Sequence, residues 1–305
     1  MRVVTLLPSA TEITYALGVE PVAVSHGCDY PPEAREKPAI THTSIDPDAD
    51  SAAIDEAVLD AERGDGVYGI DTEKLERADP DLIVTQGICD VCAVDTVLVR
   101  EAVERLGLDC EVLTTDPHSL EDVLSDIERI GRATDRGERA AALVADLRER
   151  VERVRERAPA GGPRTLDLDW MEPAMVGGHW VPELVERAGG EYGIVEPGQA
   201  STPVEWESVR EFDPEALVVA PCGFGIEQTL ENAAELTDRE GWSALSAVRE
   251  DRVWLVDGSA YLNRPSHRLV DSLEILAGLL HPDRFEVPPR PWLGRSPLDR
   301  SRSRE

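Results

Sequence analysis

The chain has almost no lysine and few aromatic residues, and no basic face appears in its sequence. Lys37 and Lys74 are its only lysines, and 61 acidic residues against 31 basic ones leave a net charge of −30. Binding of nucleic acid needs a basic face, so its absence argues against that class of partner. Dispersed acidity is typical of salt-loving organisms, because dense counter-ions screen the repulsion. We therefore expect a halophilic archaeon as the source. The alternative, a cation-binding surface, lacks any acidic cluster with calcium-loop spacing.

Long apolar runs are also absent. No segment approaches the ~20 apolar residues of a membrane span. Strand-like residues 3–7 begin almost at Met1, which leaves no room for a signal peptide. The sequence as given therefore predicts a cytoplasmic protein, with a cell-surface location as the alternative if its start is truncated. Five cysteines in 305 residues argue against a disulfide scaffold.

Sequence motifs of enzymes are missing as well. The chain contains no Gly-x-Ser-x-Gly elbow, no Gly-x4-Gly-Lys-Ser/Thr phosphate loop and no Gly-x-Gly-x-x-Gly after the first strand. We therefore expect a protein that is not an enzyme and that requires no cofactor.

A repeated pattern is the most informative feature that is present. Glu73 opens a short amphipathic stretch, Pro80 follows seven residues later, and residues 82–86 form an apolar strand. Glu207 and Pro214 repeat this spacing before the apolar residues 216–219. A helix–strand unit repeated at such a distance predicts two similar lobes that face each other across a cleft. This arrangement favours a binding protein.

Alternating strands and helices predict an α/β fold of two small parallel-sheet lobes. Residues 138–157 contain no Gly or Pro, and as a helix they would span about 30 Å, which suits a long rigid connector. The alternative is an ordinary surface helix of one lobe. The predicted organisation is an N-terminal lobe at 1–118, connecting helices at 119–163, a C-terminal lobe at 164–281 and a disordered tail at 282–305.

Ligands of parallel α/β sheets bind beyond the carboxyl ends of the strands, and aromatic faces suit a large flat ligand. The loops at those ends give the candidate ligand-binding residues Tyr68, Gln86, Cys89, Trp170, Glu172, His179, Trp180, Cys222, Tyr261 and Arg264. We expect three other tryptophans, Trp206, Trp242 and Trp254, to pack in the core.

The cysteines suggest a second kind of site. Cys89 and Cys92 have the spacing of metal ligands, and Cys28 and Cys222 fall in loops at the same predicted edge. With His26 and His179 these thiols could bind a transition metal if the lobes close. The alternative is that loop cysteines serve as small apolar fillers.

Several motifs together resemble one family. They are Leu-Pro-Ser-Ala-Thr-Glu-Ile at 7–13, Pro-Asp-Leu-Ile-Val at 80–84, Glu-Pro at 172–173 with Gly-Gly-His at 177–179, residues 203–207, and Asn-Arg-Pro at 263–265 with Arg268. Over about residues 2–280 the chain resembles the cobalamin-binding substrate-binding proteins of ABC importers, a group that also carries iron-siderophores and haem. The resemblance implies two lobes joined by one rigid helix, with cobalamin or a related corrinoid between them.

The resemblance also implies a partner. Acidic residues that match Glu73 and Glu207 dock onto basic pockets of an ABC permease in that family, and we expect a monomer that binds one. The alternative is that each Glu only favours a helix N-terminus. The cysteine-rich loops and the missing leader depart from the family pattern. The alternative is therefore a cytoplasmic protein that binds a metal, haem or a siderophore through a Cys/His cluster.

Overall fold

The first lobe is built on a small parallel sheet. The computed structural model describes residues 1–63, 66–88, 94, 96–286 and 293–295. The strands of this lobe are β1 (Val3–Thr5), β2 (Ala23–Val24), β3 (Thr41–Thr43), β4 (Tyr68–Ile70), β5 (Leu82–Gln86) and β6 (Glu111–Thr115). Its helices are α1 (Pro8–Ala16), α2 (Ser51–Glu62), α3 (Thr72–Ala78) and α4 (Thr96–Leu106). The sheet order is β2-β1-β5-β6 with all pairs parallel, while β3 and β4 form a separate antiparallel pair.

The second lobe has a mixed sheet. Its strands are β7 (Arg164–Trp170), β8 (Met175–Val176), β9 (Glu191–Tyr192), β10 (Thr202–Pro203), β11 (Ala216–Val219), β12 (Val253–Val256) and β13 (Leu293–Arg295). The sheet order is β10-β8-β7-β11-β12-β13, and β9 also pairs with β7. The central strands β7, β11 and β12 are parallel, as predicted for the strands whose carboxyl ends form the cleft. Its helices are α7 (Val181–Arg187), α8 (Trp206–Phe212), α9 (Ile226–Glu231), α10 (Ala234–Thr237), α11 (Ser246–Arg249) and α12 (Leu269–Leu280).

The repeated pattern corresponds to two units with the same construction. Helices α3 and α8 have seven residues each and end at Asp79 and Asp213, whose φ angles of 41° and 45° are left-handed. In each unit an arginine at the start of the lobe's first strand bonds the last carbonyls of the helix. Arg2 Nε donates to Ala78 O at 2.8 Å, and Arg164 Nε donates to Phe212 O at 3.2 Å. Such short helices are marginal alone, so these terminal bonds help to stabilise them.

Two helices join the lobes, α5 (Leu120–Ala133) and α6 (Gly137–Arg157). Over its 21 residues α6 spans about 30 Å. Its buried residues recur with helical spacing and pack against α5 on one side and α12 on the other: Ala140, Val144, Leu147, Val151 and Val154. Arg150 Nε also donates to Glu274 of α12 at 3.0 Å. The prediction of a two-lobed fold with a long connecting helix is confirmed. The predicted domain limits remain a prediction. Helix α6 packs against elements on both sides, so its packing does not define where either lobe begins or ends.

The C-terminal tail differs from the expected disorder where the structure describes it. Phe285 is 9% exposed, and the Arg157 guanidinium lies 4.6 Å from the centre of its ring. Residues 293–295 form β13, which pairs antiparallel with β12. Apolar and strand-edge contacts therefore hold part of this tail against the second lobe. Within the described residues, no helix has the length and apolar character needed to cross a membrane.

Candidate ligand-binding cleft

A buried ion-pair network joins the two lobes. Glu12 of α1 is only 1% exposed, and it accepts hydrogen bonds at Oε1 from Arg264 and Arg268 of the second lobe, both at 3.0 Å. Ser266 Oγ donates to its other oxygen at 2.5 Å, so both carboxylate oxygens are satisfied. Removing one partner of such a buried network would leave an uncompensated charge, so separating the lobes here would be costly.

Arg264 was predicted to contact ligand, but the structure places it within this network. Its Nη1 also donates to Asp29 Oδ1 at 2.6 Å, and its side chain is 11% exposed. Burial opposes its charge, but the carboxylates of Asp29 and Glu12 raise the pKa of Arg264 above its usual value. Arg264 therefore takes part in the contact between the lobes, and its contact with ligand stays a prediction.

Two tyrosines from opposite lobes enclose Arg268. The guanidinium lies 4.2 Å from the ring centre of Tyr30 and 4.6 Å from that of Tyr261. Both contacts have cation–π geometry. Tyr30 remains 44% exposed and Tyr261 is half-buried. The predicted residue Tyr261 thus lies at the junction of the lobes, against Arg268, and is partly exposed.

Trp170 and Phe224 form an aromatic wall in the second lobe. Their ring centres are 5.1 Å apart at an angle of 57°; Trp170 is the last residue of β7, and Phe224 lies in the loop after β11. Trp170 Nε1 donates to Glu172 O at 3.2 Å, and Arg239 Nη2 bonds Glu172 Oε2 at 2.5 Å. Cys222 is exposed in the loop after β11. The predicted residues Trp170, Glu172 and Cys222 therefore fall in the two neighbouring loops at one edge of the sheet.

The first lobe contributes a smaller wall. The rings of Tyr68 and His26 are 5.3 Å apart, and His26 Nδ1 lies 2.9 Å from Thr41 Oγ1. Burial, followed by the charge of His42, lowers the pKa of His26 and favours the neutral ring. Gln86 ends β5 and is only 5% exposed. Tyr68 thus presents an aromatic surface, whereas Gln86 is largely covered.

A pair of histidines faces across the lobes, and the sequence reasoning identified only one of them. The ring centres of His118 and His179 are 5.7 Å apart. His179 has a left-handed φ of 51°, and its Nδ1 is buried without a hydrogen-bond partner. Burial, followed by His118, lowers its pKa. His118 could have been found because it lies three residues after the end of β6, at the carboxyl edge of the first sheet.

The comparisons with known proteins bear on this cleft. The sequence matches the Periplasmic binding protein family over residues 3–260. The chain belongs to this family. A vitamin B12-binding protein of Vibrio cholerae serotype O1 is 26% identical over 279 residues, which cover 90% of this chain and 86% of that protein. A Bacillus subtilis protein, described as an uncharacterized ABC transporter substrate-binding lipoprotein, is 24% identical over 93% of this chain and 81% of its own length.

Solved structures of periplasmic binding proteins share the fold. The periplasmic vitamin B12 binding protein of Vibrio cholerae has a TM-score of 0.64 at 24% identity, covering 92% of this chain and 96% of its own. A periplasmic heme binding protein from Pseudomonas aeruginosa has a TM-score of 0.70 at 20% identity, covering 96% of each chain. These similarities agree with the two-lobed architecture and its connecting helix.

Membership in this family corrects the predicted location. The expected cytoplasmic location is wrong, because the family consists of periplasmic binding proteins and the Bacillus relative is a lipoprotein. Both descriptions point to the cell surface. The prediction depended on the strand-like residues near Met1. These residues form β1 of the first lobe and do not indicate where the protein is located.

Trp180, a predicted cleft residue, lies in the core instead. Its side chain is 5% exposed, belongs to the main apolar cluster, and donates from Nε1 to Leu262 O at 2.5 Å. It directly precedes α7, whose apolar residues Val181 and Leu184 are buried with it. The sequence pattern placed both Trp170 and Trp180 in one loop, but only Trp170 has its ring at the cleft edge.

The structure also disfavours Cys28 as a metal ligand. Its thiol is 5% exposed and lies 3.0 Å from Thr11 Oγ1 and 3.1 Å from Ser25 Oγ. Burial raises the pKa of the Cys28 thiol, whereas metal binding needs the thiolate. Cys89 and Cys92 lie outside the described residues. Among the residues that are described, no three His, Cys, Asp or Glu side chains converge as a metal site.

Proposed function

We propose that this periplasmic binding protein captures cobalamin or a related corrinoid and delivers it to an ABC importer as a monomer. The observation that carries the proposal is the similarity to a vitamin B12-binding protein along 90% of the chain. The aromatic side chains at the edges of both lobes support it, because flat apolar faces suit a large ring ligand. In this proposal the protein performs no chemistry on its ligand.

Three aromatic side chains would provide the main contacts. Trp170 packs on Phe224 in the second lobe, Tyr68 packs on His26 in the first, and Tyr261 lies at the junction. Each ring already packs on a neighbour, so little side-chain entropy is lost when ligand contacts the part of the ring that is exposed. Glu172 and Cys222 would contact polar groups at the rim of the ligand, since both are exposed.

The test is a titration of purified protein with cyanocobalamin in high salt, with Trp170→Leu as the variant. We expect a dissociation constant of about 1 µM or tighter. The variant should bind about tenfold more weakly, because it loses one aromatic face. Trp254→Leu is the control, because Trp254 lies in β12 with the Arg252 guanidinium 5.8 Å from its ring centre. Equal weakening by both substitutions, or no binding to the wild-type protein, would contradict the proposal.

Haem is the second candidate, and the facing histidines His118 and His179 favour it. Imidazole is a common axial ligand of haem iron, and the neutral form favoured at His179 is the ligating form. Titration with haemin separates the candidates: a Soret shift that disappears in His179→Ala, without binding of cyanocobalamin, would assign haem. A thiolate metal site that includes Cys89, Cys92 and Cys222 stays a prediction, and elemental analysis of protein purified without added metal tests it.

A further inference from the structure

A long insertion interrupts the hairpin of the first lobe. Strands β3 and β4 pair antiparallel, with Thr41 opposite Ile70 and Thr43 opposite Tyr68. The chain therefore leaves the first lobe after β3 and comes back to it at the neighbouring strand β4. Its residues 44–62, which include all of α2, form the segment that we call the strap.

The strap makes polar contacts with the second lobe. Ser51, the first residue of α2, is fully buried. It accepts a hydrogen bond at Oγ from Glu172 N at 2.9 Å, and its hydroxyl donates to the carboxylate of Glu235. Nearby, Gln228 Nε2 donates to Pro47 O at 2.6 Å. One of these contacts is thus made with the backbone of Glu172, which follows the aromatic wall residue Trp170 by two positions.

Helix α2 carries an apolar stripe that the protein covers only in part. Asp50 caps the helix, since its Oδ1 accepts from Ala53 N at 2.8 Å. Ile54, Ala57, Val58 and Ala61 have the spacing of one helix face, and each is only half-buried. None of these four residues belongs to the buried core. Covering this stripe with another apolar surface would remove apolar area from water, which is energetically favourable.

We propose that the strap is a lid: its Ser51 contacts hold it across the cleft beside Glu172, and the apolar stripe of α2 forms a wall against the bound ligand. The ligand class, a flat metal chelate such as a corrinoid, rests on the proposed function. The lobes themselves are joined by α6 and by the Glu12 network, so ligand enters when the strap lifts rather than when the lobes separate. After Ser51 every residue of α2 whose burial is described is exposed or half-buried, so a few polar contacts at one end are enough to hold the helix and few enough to break.

The first experiment needs no ligand. Amide hydrogen exchange is measured on the free wild-type protein and on Ser51→Ala. We expect the amides of residues 52–62 to exchange about tenfold faster in the variant, while those of α6 stay unchanged. Glu56→Ala is the control, because this side chain is exposed on α2. Unchanged exchange in α2, or equal acceleration in α2 and α6, would overturn the lid.

The second experiment follows the rates of ligand binding by stopped flow, with cyanocobalamin and haemin as the probes. If the strap gates the cleft, Ser51→Ala raises the association and dissociation rate constants together, about tenfold, with little change in affinity. Val58→Ser raises only the dissociation rate constant, because it weakens the wall. An unchanged association rate constant in Ser51→Ala overturns the gate. If neither probe binds, the proposed ligand class is wrong, and hydrogen exchange alone decides whether the strap opens.

Discussion

Two carboxyl groups in the centre of the second sheet are unusual at the scale of single residues. Asp167 and Asp169 lie two positions apart on β7 and are 0% and 9% exposed. Neither Asp167 oxygen has a hydrogen-bond partner, and one Asp169 oxygen also lacks one. Burial raises the pKa of Asp169 to about 6, although a hydrogen bond from Ser201 lowers it in part. Burial, followed by the charge of Asp169, also raises the pKa of Asp167, so in both groups the fold stabilises the protonated form relative to the unfolded chain.

This shift predicts how stability depends on pH. The folded protein binds the Asp169 proton more tightly than the unfolded chain, whose pKa is about 3.9. The stabilisation is therefore complete below about pH 4 and is lost as the pH rises through about 6. Asp169→Asn removes this loss. The difference in free energy of unfolding between Asp169→Asn and wild type should therefore shift by about 2–3 kcal/mol in favour of the variant from pH 4 to pH 7.

Urea denaturation at several pH values and constant high salt measures the effect. Asp238→Asn, which removes one exposed carboxylate, controls for the change in net charge. If the difference between Asp169→Asn and wild type is the same at pH 4 and at pH 7, Asp169 does not carry the predicted proton.

At the scale of elements, α6 and the Glu12 network limit how far the lobes move. A helix of about 30 Å that packs on α5 and α12 does not bend like a pair of extended strands. We expect the small-angle scattering profiles of the protein with and without cyanocobalamin to superimpose, because only the strap moves. A clear decrease in the radius of gyration on binding would contradict a rigid connector.

At the scale of the whole molecule, Glu73 and Glu207 are the predicted contacts with a permease. Both are exposed in the first turns of α3 and α8, and Glu207 bonds Arg210 at 2.7 Å. The double variant Glu73→Arg/Glu207→Arg should abolish uptake of labelled cobalamin, because its cations would face basic pockets of the permease. Affinity for the ligand should not change.

The matched control is Glu76→Arg/Glu211→Arg, which changes the net charge equally at exposed positions of the same two helices. This control variant should still support uptake of labelled cobalamin. If both double variants transport normally and the first one only loses about 1–2 kcal/mol of stability, the two glutamates serve the helix N-termini alone.

The sequence alone determined the repeated helix–strand units, the long connecting helix and the α/β class of the fold. Proline after each short helix, the repeated spacing from Glu73 and Glu207, and the run without Gly or Pro at 138–157 are local signals, and local signals define helices and strands. The same local patterns placed the carboxyl ends of the strands, and therefore Trp170, Glu172 and Cys222, at one edge.

Only the tertiary structure decided which side chains meet. Glu12 and Arg264 are 252 positions apart, Ser51 and Glu172 are 121 apart, and Trp180 is 82 positions from its acceptor Leu262. No local pattern specifies such pairs, because each depends on how two lobes and an insertion pack together. For this reason Arg264 and Trp180, which looked like ligand contacts in their loops, hold the lobes and the core, whereas the strap and His118 remained unrecognised.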